Sequence, residues 1–217
     1  MFRVATPALL LLAAASAFAS DTASVSVKAL LVPQKARERY ADGEKRLAKH
    51  DAEGARKKFE EAVALAPEYA AAWNALGVIA SDTAAAEADF RRAIACDPEN
   101  LDAMLNLGAL LLKTGRAEDA FPYNRRVAME LPNDALAQAQ LGMNLYQLGK
   151  LPEAERALLT AKRIDPAHPS KPQLFLAEIY ARRGEKARAA AELEELLALR
   201  PEPQLAWTIE GAIARLR

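Results

Sequence analysis

Residues 102–113 read Asp102-Ala103-Met104-Leu105-Asn106-Leu107-Gly108-Ala109-Leu110-Leu111-Leu112-Lys113, and Thr114-Gly115 follow at once. The apolar positions recur at helical spacing, and a glycine just past the last of them is a common way for a helix to stop. A second helical stretch runs from about Ala117 to Glu130 and ends before Pro132. The fragment is a helical hairpin.

The hairpin recurs in both directions. Pro67, Pro98, Pro132, Pro166 and Pro201 are spaced by 31, 34, 34 and 35 residues; Gly43, Gly77, Gly108 and Gly142 fall 34, 31 and 34 apart, and Ala177 comes 35 later. Both rulers shorten and lengthen in the same units, so one unit of about 34 residues is copied five times. The turns of four hairpins are Lys49-His50-Asp51, Thr114-Gly115-Arg116, Leu148-Gly149-Lys150 and Arg183-Gly184-Glu185. The recurring glycines and Ala177 lie on the first helix of each unit. Ala55, Ala86, Ala120, Ala154 and Ala189 lie on the second, twelve residues on, or nine in the shortened unit. Small residues at a crossing let two helix backbones approach closely. Glycine inside a helix costs about 1 kcal/mol relative to Ala, so its regular return marks a steric requirement that outweighs propensity.

These residues resemble the tetratricopeptide repeat family. Trp73-x-x-Leu76-Gly77-x-x-Ala80, Ala86-x-x-x-Phe90-x-x-Ala93 and Pro98 follow its signature, as do Leu141-Gly142-x-x-Leu145, Ala154-x-x-x-Leu158-x-x-Ala161 and Pro166. The first unit matches through Gly43, Ala55, Phe59, Ala62 and Pro67, the third through Leu107, Gly108, Leu111, Ala120 and Pro132, and the fifth through Leu176, Ala177, Tyr180, Ala189 and Pro201. The resemblance spans residues 36–201. It implies an all-α fold, an α-α superhelix of stacked hairpins (a tetratricopeptide repeat solenoid), closed by a C-terminal capping helix. The expected layout is a signal peptide at 1–19, an extended N-terminal linker at 20–35, five repeat units at 36–203 and the capping helix at 204–217.

Departures from the pattern are local. The second unit lacks three residues between its helices, so Ser81-Asp82-Thr83 must end one helix and cap the next. Pro122 falls inside an expected second helix, where it would kink or delay that helix at a cost of roughly 3 kcal/mol. Pro152 is benign, because it falls where a first helical position is expected. Residues 204–217 start like a sixth first helix, with Trp207 and Gly211 at the signature spacing, and then stop. In the linker, Val25-Ser26-Val27 alternates like a strand; the segment packs on the first repeat, extends as a tail, or lends a strand to a partner.

Composition narrows the function. With 29 basic and 29 acidic residues the formal net charge is zero, so no long-range field favours nucleic acid. Hydrophobic residues make up 52% but aromatics only 6%, as in Ala- and Leu-rich helical chains. Met1-Phe2-Arg3, the apolar run from Ala8 to Ala15 and the small-x-small Ala17-Phe18-Ala19 form an export signal, with cleavage expected after Ala19 and a retained anchor as the alternative. The apolar run is shorter than the roughly 20 residues of a spanning helix. The mature chain is therefore expected in a periplasm or outside the cell, with no membrane span. The single cysteine, Cys96, cannot form an internal disulfide and reads as a buried, inert side chain rather than an intermolecular handle.

Catalysis is not expected. His50 and His168 sit in turns of different units and read as solvated loop residues, with no metal-ligand spacing around them. No nucleophile elbow or phosphate-binding loop is present, and Arg56-Lys57-Lys58 and Glu192-x-Glu194-Glu195 read as solvated faces. No metal or cofactor is called for.

The family resemblance implies an extended trough lined by the first helices, suited to a peptide or a partner helix. The candidate peptide-binding residues are Tyr40, Asn74, Val78, Leu105, Asn106, Gln140, Met143, Tyr146 and Leu174. The amides offer donors and acceptors to a peptide backbone, and the apolar members offer adaptable contact. The two-carboxylate clamp by which some relatives grip a chaperone's C-terminus is not assembled. The expected function is a non-catalytic scaffold or adaptor, monomeric or weakly oligomeric, that holds a segment of a cell-envelope protein. The alternative is a self-associating structural protein acting in envelope complex assembly.

Overall fold

The computed structural model describes residues 31–217; the expected export signal and residues 20–30 of the expected linker lie outside the described residues. Two compact units divide them, 31–110 and 111–217. Every regular element among the described residues is a helix. The 31–110 unit holds α1 (Gln34–Leu47), α2 (Ala52–Leu65), α3 (Ala70–Val78), α4 (Thr83–Cys96) and most of α5 (Leu101–Lys113). The 111–217 unit holds the end of α5, then α6 (Ala117–Glu130), α7 (Ala135–Gln147), α8 (Leu151–Ile164), α9 (Pro172–Arg182), α10 (Lys186–Ala198) and α11 (Pro203–Leu216). Helix α1 begins at Gln34, so the end of the segment expected to be extended is already helical.

Neighbours in sequence pack as neighbours in space: α1 on α2, α2 on α3 and α3 on α4 in one unit, and a continuous series from α6 to α11 in the other. The small residues explain the register. A Cβ added at Gly43 would run into the Phe59 ring, one at Gly77 would lie 2.6 Å from the Phe90 ring, and one at Gly142 would lie 2.6 Å from Leu158. Each large side chain drops onto bare backbone. Burying a Phe or Leu side chain contributes about 1.5–3 kcal/mol, more than the helix loses by carrying Gly there. Phe59 and Leu158 are fully buried.

The turns show the same economy of types. Gly115, Gly149 and Gly184 end first helices with φ of 76°, 73° and 77°. In the first unit the equivalent place is taken by His50 at φ 60°, a conformation that strains a residue with a Cβ. Asp51, Asp82 and Asp134 cap the following helices, accepting the backbone N–H of Gly54, Ala85 and Ala137 at 2.9, 2.9 and 2.7 Å. Asp82 does so within the shortened turn, and α3 is correspondingly brief, at 9 residues against 14 in α1.

Three expectations are corrected. Pro122 does not delay α6, which begins at Ala117 and runs through it to Glu130. Pro122 and Glu118, whose carbonyl it leaves without a helical donor, are both exposed residues. Cys96 is half-exposed rather than buried, and its thiol lies 3.6 Å from the Pro67 carbonyl. Glu192 is not on a solvated face: it is 8% exposed and accepts two hydrogen bonds from Lys162, at 2.9 and 3.0 Å.

A residue that sequence reading passed over stands out in α6. Asn124 follows Ala120 by four, as Phe59 follows Ala55, Phe90 follows Ala86 and Leu158 follows Ala154. It therefore takes the slot of the large apolar side chain. It is 0% exposed, and neither amide atom meets a hydrogen-bonding partner. Such a group costs about 1–3 kcal/mol.

Two substitutions test this account by chemical denaturation. His50→Gly relieves the left-handed backbone and is expected to raise the unfolding free energy by about 1 kcal/mol. Asn124→Leu restores the apolar slot and is expected to raise it by about 1–2 kcal/mol; a loss instead would mean that the amide is satisfied.

Candidate functional site

In the 31–110 unit, five of the candidate residues, Tyr40, Asn74, Val78, Leu105 and Asn106, are all half-buried on first helices. Asn106 Nδ2 donates to Asn74 Oδ1 at 3.0 Å, which ties α5 to α3. The pair leaves Asn74 Nδ2 as a donor and Asn106 Oδ1 as an acceptor. Tyr40 packs against Phe59 at 5.4 Å and Tyr69 at 5.2 Å between ring centroids. Burial pushes the Tyr40 hydroxyl well above its ordinary range; the Glu44 carboxylate, which it hydrogen-bonds, and the charge of Asp102 act in the same direction. Burial and Glu44 also raise Tyr69, against Arg37. This face thus combines two tyrosines, two carboxylates and an amide pair.

Tyr69 was not among the sequence candidates. Its signal is faint: an aromatic two residues after the Pro67 that closes the first repeat, just before α3.

In the 111–217 unit the remaining candidates are already engaged. Gln140 and Met143 are 2% and 3% exposed, so neither lies on an open face. The reason is helix rotation: Asn144, one turn from Gln140, donates from Nδ2 to the Ala117 carbonyl at 2.8 Å and turns that side of α7 against α6. Tyr146 accepts a 2.7 Å hydrogen bond from Arg182, whose guanidinium also stacks 4.8 Å from the ring centroid, and Phe175 meets the ring edge-on at 5.5 Å. Leu174 packs on the cluster of Ala177, Leu193, Leu196, Ile209 and Ile213.

No group of three or more His, Cys, Asp or Glu among the described residues is placed to hold a metal ion. No helix among them is long and apolar enough to cross a membrane.

Hairpins of this kind, paired through bare crossings and offering half-buried polar and aromatic side chains on their first helices, define an α-helical repeat scaffold for protein interaction. Residues 36–135 consist of tetratricopeptide repeats: that family's model matches residues 36–80 and 80–135. Solved structures share the fold. One is YrrB, described as a TPR protein with an unusual peptide-binding site, at 24% identity over 85% of this chain and 96% of that one, with a TM-score of 0.70. Another is MamA, residues 41 to the end, from Desulfovibrio magneticus RS-1, at 22% identity over 78% of this chain and 97% of that one, with a TM-score of 0.70. A third is PilW, described as a widely conserved type IV pilus biogenesis factor, at 19% identity over 85% of this chain and 89% of that one, with a TM-score of 0.72. No curated protein matches the chain.

His168 departs from its expected solvated state. It is half-buried, its Nδ1 accepts the Ser170 N–H at 3.2 Å, and the same nitrogen lies 2.8 Å from Ser170 Oγ. Burial pushes its pKa below the ordinary 6.5, against the charges of Asp165 and Asp134. A folded pKa below the unfolded one means that protonation favours the unfolded chain. The stability contribution of the neutral ring is complete above 6.5 and is lost as pH falls below it towards the folded value. His168→Asn is therefore expected to lose less stability than the parent between about pH 7.5 and about pH 5, measured by urea unfolding at both.

Proposed function

We propose that the chain is a non-catalytic adaptor of the cell envelope, exported by its leader, that holds an extended segment of another envelope protein against the first helices of the 31–110 unit. The Asn74–Asn106 pair carries the reading. It sets one amide donor beside one amide acceptor, which matches what a peptide unit of an extended chain requires. Val78 and Leu105 flank it with half-buried apolar surface. Glu44 and Asp102, close enough to act on the Tyr40 hydroxyl, favour a segment with a basic side chain beside the tyrosine rings. The 111–217 unit contributes less, because its candidates pack against their own neighbours.

Precedent for the fold supports the role: YrrB is described as having a peptide-binding site, and PilW as a pilus biogenesis factor. The envelope setting rests on the leader sequence at residues 1–19.

A photo-crosslinking amino acid placed at Leu105 in cells, which leaves the Asn74–Asn106 pair in place, is expected to capture a partner, and one at Lys57, an exposed position of α2, is expected to capture none. Asn74→Ala should reduce the Leu105 crosslink by about tenfold. Capture from Lys57 but not from Leu105 would move the binding surface to the second helices.

A further inference from the structure

On α1, α3 and α7, the bare glycine of the first helix is filled by Phe59, Phe90 and Leu158. Gly211 holds the same signature position on α11, four residues after Trp207 as Gly77 is four after Trp73. A Cβ at Gly211 would meet nothing within 4 Å. The tryptophans differ in the same way. Trp73 donates its indole N–H to the Pro67 carbonyl at 2.8 Å and lies under Arg92, 4.8 Å from the ring centroid. Trp207 is 76% exposed. Helix α11 is a first helix with no second helix upon it among the described residues, although its inner side is secured through Ile209 and Ile213 against Leu193 and Leu196 of α10.

The outer side of α11 carries Gln204, Trp207, Gly211 and Ala214, all exposed, uncharged and spaced to form one stripe. A large exposed aromatic in such a stripe marks an interaction surface. What covers it follows from the order of the residues. Knob and hole lie on the same stripe, one turn apart, and a two-fold axis matches such a surface to itself. In an antiparallel pair of α11 helices centred on the level of residue 209, each Trp207 faces the other copy's Gly211, and each Gln204 faces the other copy's Ala214. Glu210 falls level with Thr208, so no like charges oppose. The small residues allow an axis separation of about 8 Å. The other large side chains that fill glycine seats, Phe59, Phe90 and Leu158, already occupy their own units. A copy of α11 supplies both a filler for Gly211 and a cover for Trp207.

We propose that α11 is a homodimerisation helix, through which two copies of the chain pair tail to tail by seating Trp207 of each on Gly211 of the other. This assignment is independent of the peptide-binding face.

Sedimentation velocity and light scattering of the full chain test it. The parent is expected to dimerise, and Trp207→Ala is expected to weaken the dimer at least about thirtyfold. Because Trp207→Ala could loosen α11 itself, Gly211→Leu serves as the second variant. Open space at Gly211 lets the folded monomer accept Leu, and helix propensity rises, yet the hole is filled and the dimer should be lost with helicity unchanged by circular dichroism. Met129→Ala, at another exposed apolar side chain, should leave the dimer intact. In a Trp73→Phe background, Trp207 fluorescence should shift to the blue as concentration rises. A monomer at all concentrations, a dimer indifferent to both α11 variants, or Trp207 emission already blue and concentration-independent would each overturn the proposal. So would a monomer whose Trp207 binds a helix of another protein.

Discussion

The contact between a glycine on the first helix of a hairpin and the large side chain lowered onto it from the second sets the geometry of each pair in which it occurs. It holds the two axes close, fixes the rotation of both helices about their lengths, and so decides which residues face inward. Gly77 under Phe90 shows the trade: about 1 kcal/mol of helix propensity is given up, and the burial of a phenyl ring more than offsets it. Because rotation is fixed, everything else on the first helix is assigned a side. Tyr40 and Asn74 stay half-exposed as a consequence of where Gly43 and Gly77 point.

Variation of that contact along the chain is informative. Where the filler is Phe or Leu, the crossing is dry and apolar. Asn124 occupies the filler slot with an amide that meets no partner, which makes α6 the place where the repeat logic is weakest. Gly211 meets no filler among the described residues, and Trp207 is left exposed. The same rule that explains a well-packed hairpin marks the helix whose glycine stays open.

Polar side chains divide by the same cause. In the 111–217 unit, Asn144 donates to the Ala117 carbonyl and Lys162 bridges Glu192 and Glu195, each at 2.9 Å, while the amide of Asn124 and the amide oxygens of Gln140, Asn144 and Gln173 are buried without a partner. Glu155 is likewise shared between Arg183 and Arg188. In the 31–110 unit, the Asn74–Asn106 pair satisfies only half of its hydrogen-bonding capacity. An amide pair with a spare donor and a spare acceptor on a half-exposed face is within reach of another chain in a way that a buried amide is not.

Much of this could be read from the order of residues. Two rulers of Pro and Gly spaced by 31 to 35 residues announce a repeat, and helical periodicity with glycine stops announces hairpins. Ser81-Asp82-Thr83 could be read as the stretch that caps the next helix, and Asp82 is the residue that does so. These features depend on neighbours along the chain, and local physics is sequence-local. The candidate site was legible only in part. That Gln140 and Met143 are buried, that Tyr146 is claimed by Arg182, and that Tyr69 joins Tyr40 all depend on the turn of one helix against another, set by contacts between residues distant in sequence. Residue order alone fixes the helical hairpins and the glycine contacts of α1, α3 and α7, because each is written within one repeat. Which side of each helix stays open to a partner is settled in three dimensions, because packing between neighbouring helices sets that rotation.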